Sequence, residues 1–415
     1  MRSRRARRLG VFLGCVGLLT LGLGIATPAT AAVPAPLSPA TRFYVPPPDP
    51  GAGQQIKRLL HQGRLGDAAK IARMVTTPQA VWFTGGTPKE VRKDVTSTIR
   101  AARHQRAVPV LVAYNVPGRD CSQYSSGGAG SDEAYRAWAD GFAAGLRSAG
   151  RVVVVVEPDG LSNLPSDCPD AYPGEDVAAL TAGRIADIAY LGHAIQAADP
   201  DALVYLDAGH AAWHSVGDIA DRLHQAGIAD FQGFSLNVSN YQPTPQSVQY
   251  GTWIAKCLWY AANTAEGGWR LGHYDYCASQ YYPATAGDYS TWHLTDQWYA
   301  TNVDNAANPP AGPSDLAHFV VDTSRNGQGP WSGPQDWCNP PGRGLGIRPT
   351  ADTGSALADA YLWVKTPGQS DGQCNRDVAG STTDPEWGGI TDPPAGQWFP
   401  AQALQLARLA SPPLR

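Results

Sequence analysis

The chain has 415 residues, with 32 Lys and Arg against 36 Asp and Glu and a formal net charge of −4. Residues 1–31 hold five arginines and no acid, so without that stretch the charge falls from −4 to −9. Such an acidic balance excludes nucleic acid and anionic membrane surfaces as natural partners.

In chain order, arginine-rich Met1–Arg8 precedes an apolar run, Leu9–Ala26, and the small-x-small motif Ala29-Thr30-Ala31. This order predicts a secretory signal peptide over residues 1–31, and hence a secreted protein. No later run approaches ~20 apolar residues, the length needed to cross a bilayer. Cys15 leaves with the signal, and Cys121, Cys168, Cys257, Cys277, Cys338 and Cys374 remain. An even count in an exported chain points to disulfides rather than metal ligands. Of the fifteen formal pairings among six cysteines, pairing in sequence order is the most economical.

Residues 32–50 read as a Pro-rich, extended leader, and residues 51–415 as one catalytic domain without linker or repeat. Short β-branched runs fall at 80–85, 108–115, 152–160, 202–210, 231–238, 318–324 and 360–365. Ala-rich amphipathic stretches at 87–105, 132–149 and 178–198 separate them. Apolar strands alternating with helices predict an α/β fold, a parallel sheet closed or slightly split into a TIM-like barrel.

Nearly every strand ends in a polar cluster: Tyr114–Asp120, Glu157–Asp159, Asp207–His210, Asn237–Asn240, Asp322–Arg325 and Lys365–Asp371. In such a barrel these ends converge on one rim, where active sites lie. The competing reading is that Asp and Asn merely cap the following helices. The five-valine strand 152–156 delivers Glu157 and Asp159. Burial raises a carboxyl pKa, as a general acid requires. Asp159, past Pro158, is the better catalyst, and Glu157 reads as one half of a buried pair with a barrel Arg or Lys. Asp120 adjoins Cys121, and Asp371 nearly adjoins Cys374, so both carboxylates are anchored where a glycosidase needs a fixed separation. That separation is about 6.5–9.5 Å for inversion and about 5–5.5 Å for retention. No GxSxG, HExxH, Walker or GxGxxG pattern is present. Asp207 and His210 lack a third metal ligand, and no cofactor is expected.

The stretches AYNVPGRDC, VVVEPDGLSNL, LDAGHAAWHS, GFSLNVSNY, VVDTSRNGQGP, DWCNPPGRGLG and AYLWVKTPGQSDG together resemble glycoside hydrolase family 6. Its members are cellobiohydrolases and endoglucanases that cleave β-1,4-glucan with inversion on a distorted seven-stranded α/β barrel. The resemblance implies Asp159 as general acid, Asp120 as the aspartate tuning it and ordering water, and Asp371 as the proposed base. It implies Tyr114 as the residue distorting the sugar ring, Trp82 as a stacking platform and Ser126 as the positioner of water. Asp207, His210, Trp213, Asn237, Trp337 and Lys365 match substrate-binding positions, and Asn240 belongs to the same rim. The bridges 121–168 and 338–374 match the family's disulfides.

Two departures stand out. Gln369 replaces a common Glu, removing a binding charge. Residues 244–313 form an aromatic insertion holding Cys257 and Cys277, which either extends or roofs the cleft, or is a surface excursion covering its own aromatics. The two residues between Asp371 and Cys374 and the short 121–131 loop favour an open cleft. The expectation is a monomeric endoglucanase acting on cellulose and cello-oligosaccharides. A cellobiohydrolase roofed by the insertion is the alternative, and a non-catalytic carbohydrate-binding barrel a more distant one.

Overall fold

Helix capping follows local sequence, and it answers the competing reading of the rim acids. Thr87 caps α3 (Pro88–Gln105) in a reciprocal box with Glu90, and Ser131, Asp176 and Ser215 cap three later helices. The predicted rim acids are none of these caps.

The computed structural model describes residues 34–263 and 268–414; the signal-like segment and Cys15 lie outside the described residues. Helices α1 (Pro50–His61) and α2 (Leu65–Val75) come first. The alternating part begins with β1 (Val81–Phe83), α3, β2 (Val110–Ala113), α4 (Asp132–Leu146), β3 (Val152–Val156) and α5 (Val177–Ala198). It continues with β4 (Ala202–Asp207), α6 (Val216–Gln225), β5 (Gly233–Leu236), α7 (Thr244–Ala262) and α8 (His293–Tyr299). Strands β6 (His318–Asp322) and β7 (Ala358–Leu362) and helix α9 (Pro400–Arg408) complete it. The seven strands pair in parallel in sequence order.

No β1–β7 ladder forms among the described residues. The seam is spanned instead by the Ala80 N–H to the Trp363 carbonyl, 2.9 Å, and Trp82 Nε1–H to the Val364 carbonyl, 2.8 Å. The sheet is a curled, incompletely closed α/β barrel. All seven predicted strands form, and the last is displaced toward the N-terminus because Trp363–Lys365 already belong to the rim.

The strand period of two divides the core. Val152, Val154 and Val156 face the helices with Trp138 and Phe142, whereas Val153 and Val155 fill the barrel with Val112, Leu203 and Tyr205. A third cluster joins α1, α2 and α9 around Met74 and Trp363. The leader is extended beside the approach to β2, where the Tyr44 N–H donates to the Val108 carbonyl at 2.9 Å. The three disulfides are 121–168, 257–277 and 338–374, the sequence-order pairing.

The expected insertion needs new boundaries, because its first 19 residues are α7, the barrel helix between β5 and β6. Tyr250, Trp253, Trp292 and Tyr299 are buried in the main core. The excursion proper begins only after α7.

Candidate active site

A cavity of ≈ 360 Å³ opens at the C-terminal ends of the strands. Its walls include Trp82, Tyr114, Asp120, Asp159, His210, Trp213, Asn240, Trp337, Lys365 and Asp371. A broader hollow of ≈ 970 Å³ on the helical exterior is walled largely by alanine, with Asp140 its single acid, and offers no such constellation.

The end of β3 explains how one acid reaches the cavity and its neighbour does not. Glu157 and Asp159 both adopt left-handed backbone, φ 49° and 62°. Such strain in non-glycine residues concentrates at functional sites. The turn sends Glu157 outward, where it accepts from the Asn115 and Val116 N–H groups, each 3.0 Å, and from the Tyr135 hydroxyl of α4, 2.9 Å. Two amides and a phenol thus take the direct contacts expected of an Arg or Lys, while the charge of buried Arg184 acts on Glu157 without a salt bridge. Burial, opposed by these donors, raises the Glu157 carboxyl to about 7.

Asp159 turns into the cavity. Its Oδ1 is sealed from solvent without a hydrogen-bond partner. Burial, then the negative charges of Asp207 and Asp120, push its pKa well above the usual carboxyl range. Asp207 lies beneath and does not line the cavity. It accepts from the Asp159 N–H at 2.9 Å, the Gly209 N–H at 3.1 Å and Ser235 Oγ at 2.8 Å. Burial, opposed by those donors, raises it to about 7.

Asp120 enters from the β2 loop, also left-handed at φ 59°, and is tethered through Cys121 to Cys168. The Ser125 N–H donates to its Oδ2 at 2.6 Å. Burial raises its pKa, while that bond and Arg119 oppose the rise. The loop folds back tightly: a Cβ on Gly128, φ 97°, would stand 2.0 Å from the Val116 carbonyl oxygen. Tyr114 lies with its ring edge-on to Trp82 at 5.5 Å and under the Arg119 guanidinium at 4.5 Å.

Asp371 has the opposite electrostatics. Arg325 Nη1 stands 2.7 Å from Oδ2 and Lys365 Nζ 2.9 Å from Oδ1. The Asn339 N–H, 2.9 Å, and the Tyr241 hydroxyl, 3.4 Å, also donate to Oδ2. Burial alone would raise its pKa, but Arg325 and Lys365 overcome that and hold it at about 2. Asp371 is a fixed anion. His210, driven to about 4 by burial and His214, is neutral above that pH and packs against Trp213 at 5.4 Å.

Several expected binding residues are not brought to the cavity walls. Asn237 is fully buried, donating to the Gln242 and Asp322 carbonyls and accepting from the Gln242 N–H, so it shapes the rim from behind. Gln369 turns toward the leader and donates to Asp49 at 3.1 Å. Ser126 is displaced by Ser125, which both lines the cavity and holds Asp120. Gln123, Asn163, Ser239 and Asp336 also line the walls and were not anticipated. Arg325 is the more instructive omission, because a buried carboxylate at Asp371 demanded more countercharge than Lys365 supplies.

Among the described residues, the excursion after α7 contributes nothing to these walls. The loop after Asp371 is also longer than the Asp371–Cys374 spacing suggested, running until the Ser370 N–H donates to the Gln397 carbonyl at 2.8 Å. Tyr124 of the opposite loop reaches it, donating to Asn375 at 3.2 Å. A Cβ on Gly372, φ 145°, would come within 2.4 Å of Tyr124 Cβ, so this contact requires glycine.

A barrel with carboxyls of opposed ionisation between tryptophans at its strand-end rim is a glycosidase. Residues 38–410 match the family model described as Glycosyl hydrolases family 6, and the chain belongs to that family of cellulases. It is 35% identical over 337 residues to Endoglucanase 1 of Streptomyces sp. (strain KSM-9), spanning 81% of this chain and 70% of that protein. It is 32% identical over 402 residues to Endoglucanase 1 of Streptomyces halstedii, spanning 97% and 98% of the two chains. The solved structure of the endoglucanase Cel6 from Mycobacterium tuberculosis, in complex with a methyl-cellobiosyl-4-deoxy-4-thio-β-D-cellobioside, is similar at TM-score 0.62 and 32% identity. That likeness covers 89% of this chain and 97% of the other.

Proposed function

We propose that this cellulase is an exported, inverting endoglucanase that hydrolyses internal β-1,4 bonds of cellulose and related glucans. The observation that carries this reading is Asp159: an unpartnered, sealed carboxyl oxygen whose pKa is raised beside a permanently ionised Asp371. Carboxyls whose environments drive their pKa values apart mark acid and anion roles. Asp159 protonates the leaving glycosidic oxygen, and the charge of Asp371 stabilises the oxocarbenium-like transition state.

A carboxylate held at about 2 by four donors is a poor proton acceptor. Asp120, with its raised pKa, is the better acceptor for the attacking water's proton. Tyr114 crowds the reacting ring, and Trp82, Trp213 and Trp337 stack on sugar faces along the cleft. The likeness to bacterial endoglucanases supports endo action, and three disulfides suit an oxidising compartment.

A cellobiohydrolase is the second reading, favoured by the Tyr124–Asn375 contact that links two rim loops. Viscometry of carboxymethylcellulose alongside product sizing tests the choice, with NMR following the anomer first released. Rapid viscosity loss with an α-anomer as first product is expected. Steady cellobiose release at near-constant viscosity would establish the second reading, and a first-formed β-anomer would refute inversion. Gln369, the one departure that would favour a binding-only barrel, donates to Asp49, which speaks for the catalytic reading.

A further inference from the structure

Every exposed aromatic side chain among the described residues lies in one short stretch: Trp269, Tyr276, Tyr281, Tyr282 and Tyr289. Scattered exposed apolar residues need no explanation, but their concentration in one stretch of the chain singles that stretch out as a candidate interaction surface. Tyr282 is 80% exposed. The backbone carrying it is nonetheless rigid. Cys277 is bonded to Cys257 of α7, Ser279 accepts from buried Thr295 at 2.7 Å, and the Ala278 carbonyl accepts from the Tyr299 hydroxyl at 2.8 Å. An aromatic ring held in water on a fixed mount is pre-organised for a flat apolar ligand, which loses little entropy at such a site.

The patch is joined to the cleft. Buried Gln280 donates to the Ala211 and His214 carbonyls, at 3.0 and 2.8 Å, and the Tyr281 hydroxyl donates to the Trp213 carbonyl at 3.0 Å. These carbonyls belong to the loop whose Trp213 lines the cavity. Beyond Tyr282 lies a further hollow of ≈ 490 Å³ with Asp218, Asp221 and Asp275 on its walls. An aromatic face beside carboxylates is the combination that receives a pyranose, one part for its apolar face and the other for its hydroxyls.

We infer that Tyr281 and Tyr282 form a glucan-binding extension that carries the polysaccharide chain outward from Trp213, over the surface of the excursion. The inference rests on the glucanase reading of the cleft. Its occupant is a β-1,4-glucan longer than the cavity itself, because the patch continues from the wall that the substrate would cross.

The test uses the full chain with Tyr281→Ala, Tyr282→Ala and the double variant. Adsorption isotherms on microcrystalline cellulose are set beside turnover of soluble cellotetraose. Each substitution is expected to weaken adsorption about fivefold, the loss of one aromatic contact, with cellotetraose turnover unchanged in Tyr282→Ala, whose ring is 80% exposed and does not hold the Trp213 loop. A double variant that adsorbs as tightly as wild type would overturn the inference while leaving the active-site reading intact. So would sedimentation showing a wild-type dimer that the double variant dissolves, since the patch would then serve a second copy. A wild-type chain that neither cleaves cellotetraose nor adsorbs would instead overturn the glucanase reading beneath it.

Discussion

Replacing Arg325 with Met removes the principal countercharge of Asp371 while preserving side-chain length. Arg325 is fully buried, its Nη1 stands 2.7 Å from Asp371 Oδ2, and its guanidinium lies 4.5 Å from the Tyr241 ring centre. Removing one partner of a buried pair costs about 3–5 kcal/mol, because the other charge stays in low dielectric. Here Lys365 Nζ at 2.9 Å and the Asn339 N–H at 2.9 Å remain, so the lower end, about 3 kcal/mol, applies.

The pH signature follows from the sign of the shift. Asp371 is held at about 2, below the ordinary value of 3.8, so it contributes stability above about pH 4 that is lost as pH falls through about 2. Arg325→Met raises that pKa and flattens the acid limb. Urea unfolding followed by tryptophan fluorescence, repeated for Asp371→Asn and for the double variant, isolates the pair. The double variant is expected to be more stable than the summed single losses by about 1–3 kcal/mol. Strict additivity, or an Arg325→Met midpoint equal to wild type at pH 7, would refute the ion-pair account.

Asp120→Asn removes both a negative charge that raises Asp159 and the assigned proton acceptor. It should slow cellotetraose turnover about 100-fold or more and move the alkaline limb of the pH profile to lower pH, since Asp159 then loses its proton earlier. A loss under about tenfold would return the acceptor role to Asp371. Asp392 is buried near Asp384, with their nearest oxygens within 4.8 Å, while Arg376 pairs with Asp384 alone. Burial, and then the Asp384 charge against the Asn339 donor, lift Asp392 to about 7. Its stabilising contribution is therefore present below about pH 4 and lost as pH rises through about 7. Asp392→Asn should show a melting temperature that gains on wild type across that window. A gap independent of pH would contradict the assignment.

The architecture was legible in the chain because β-branched runs and amphipathic helices have different periods, and the rim followed from the polar strand ends. What the pattern concealed was side-chain direction. Glu157 and Asp159 would share a strand face, yet left-handed φ at both sends one to α4 and the other into the cleft. Asp207 and Asn237 sit at the right strand ends but are consumed as buried acceptors and donors that shape the rim. Arg325 was read only as part of a polar strand end, because burial of a countercharge depends on contacts far apart in sequence. The spacing of Asp371 and Cys374 gave only the first turn of a longer loop. The excursion was read as a possible roof because it follows the Asn237 strand and is rich in aromatics, whereas the first 19 residues of that range are helix α7, packed in the main core.

The most direct test of the central claim compares Asp159→Asn on two leaving groups. Cellotetraose needs a proton on its departing oxygen, and 2,4-dinitrophenyl β-cellobioside does not. Loss of a general acid should lower kcat about 1000-fold on the first and less than about tenfold on the second, with oligosaccharide affinity retained. Equal losses on both, or full activity on cellotetraose, would show that Asp159 is not the proton donor.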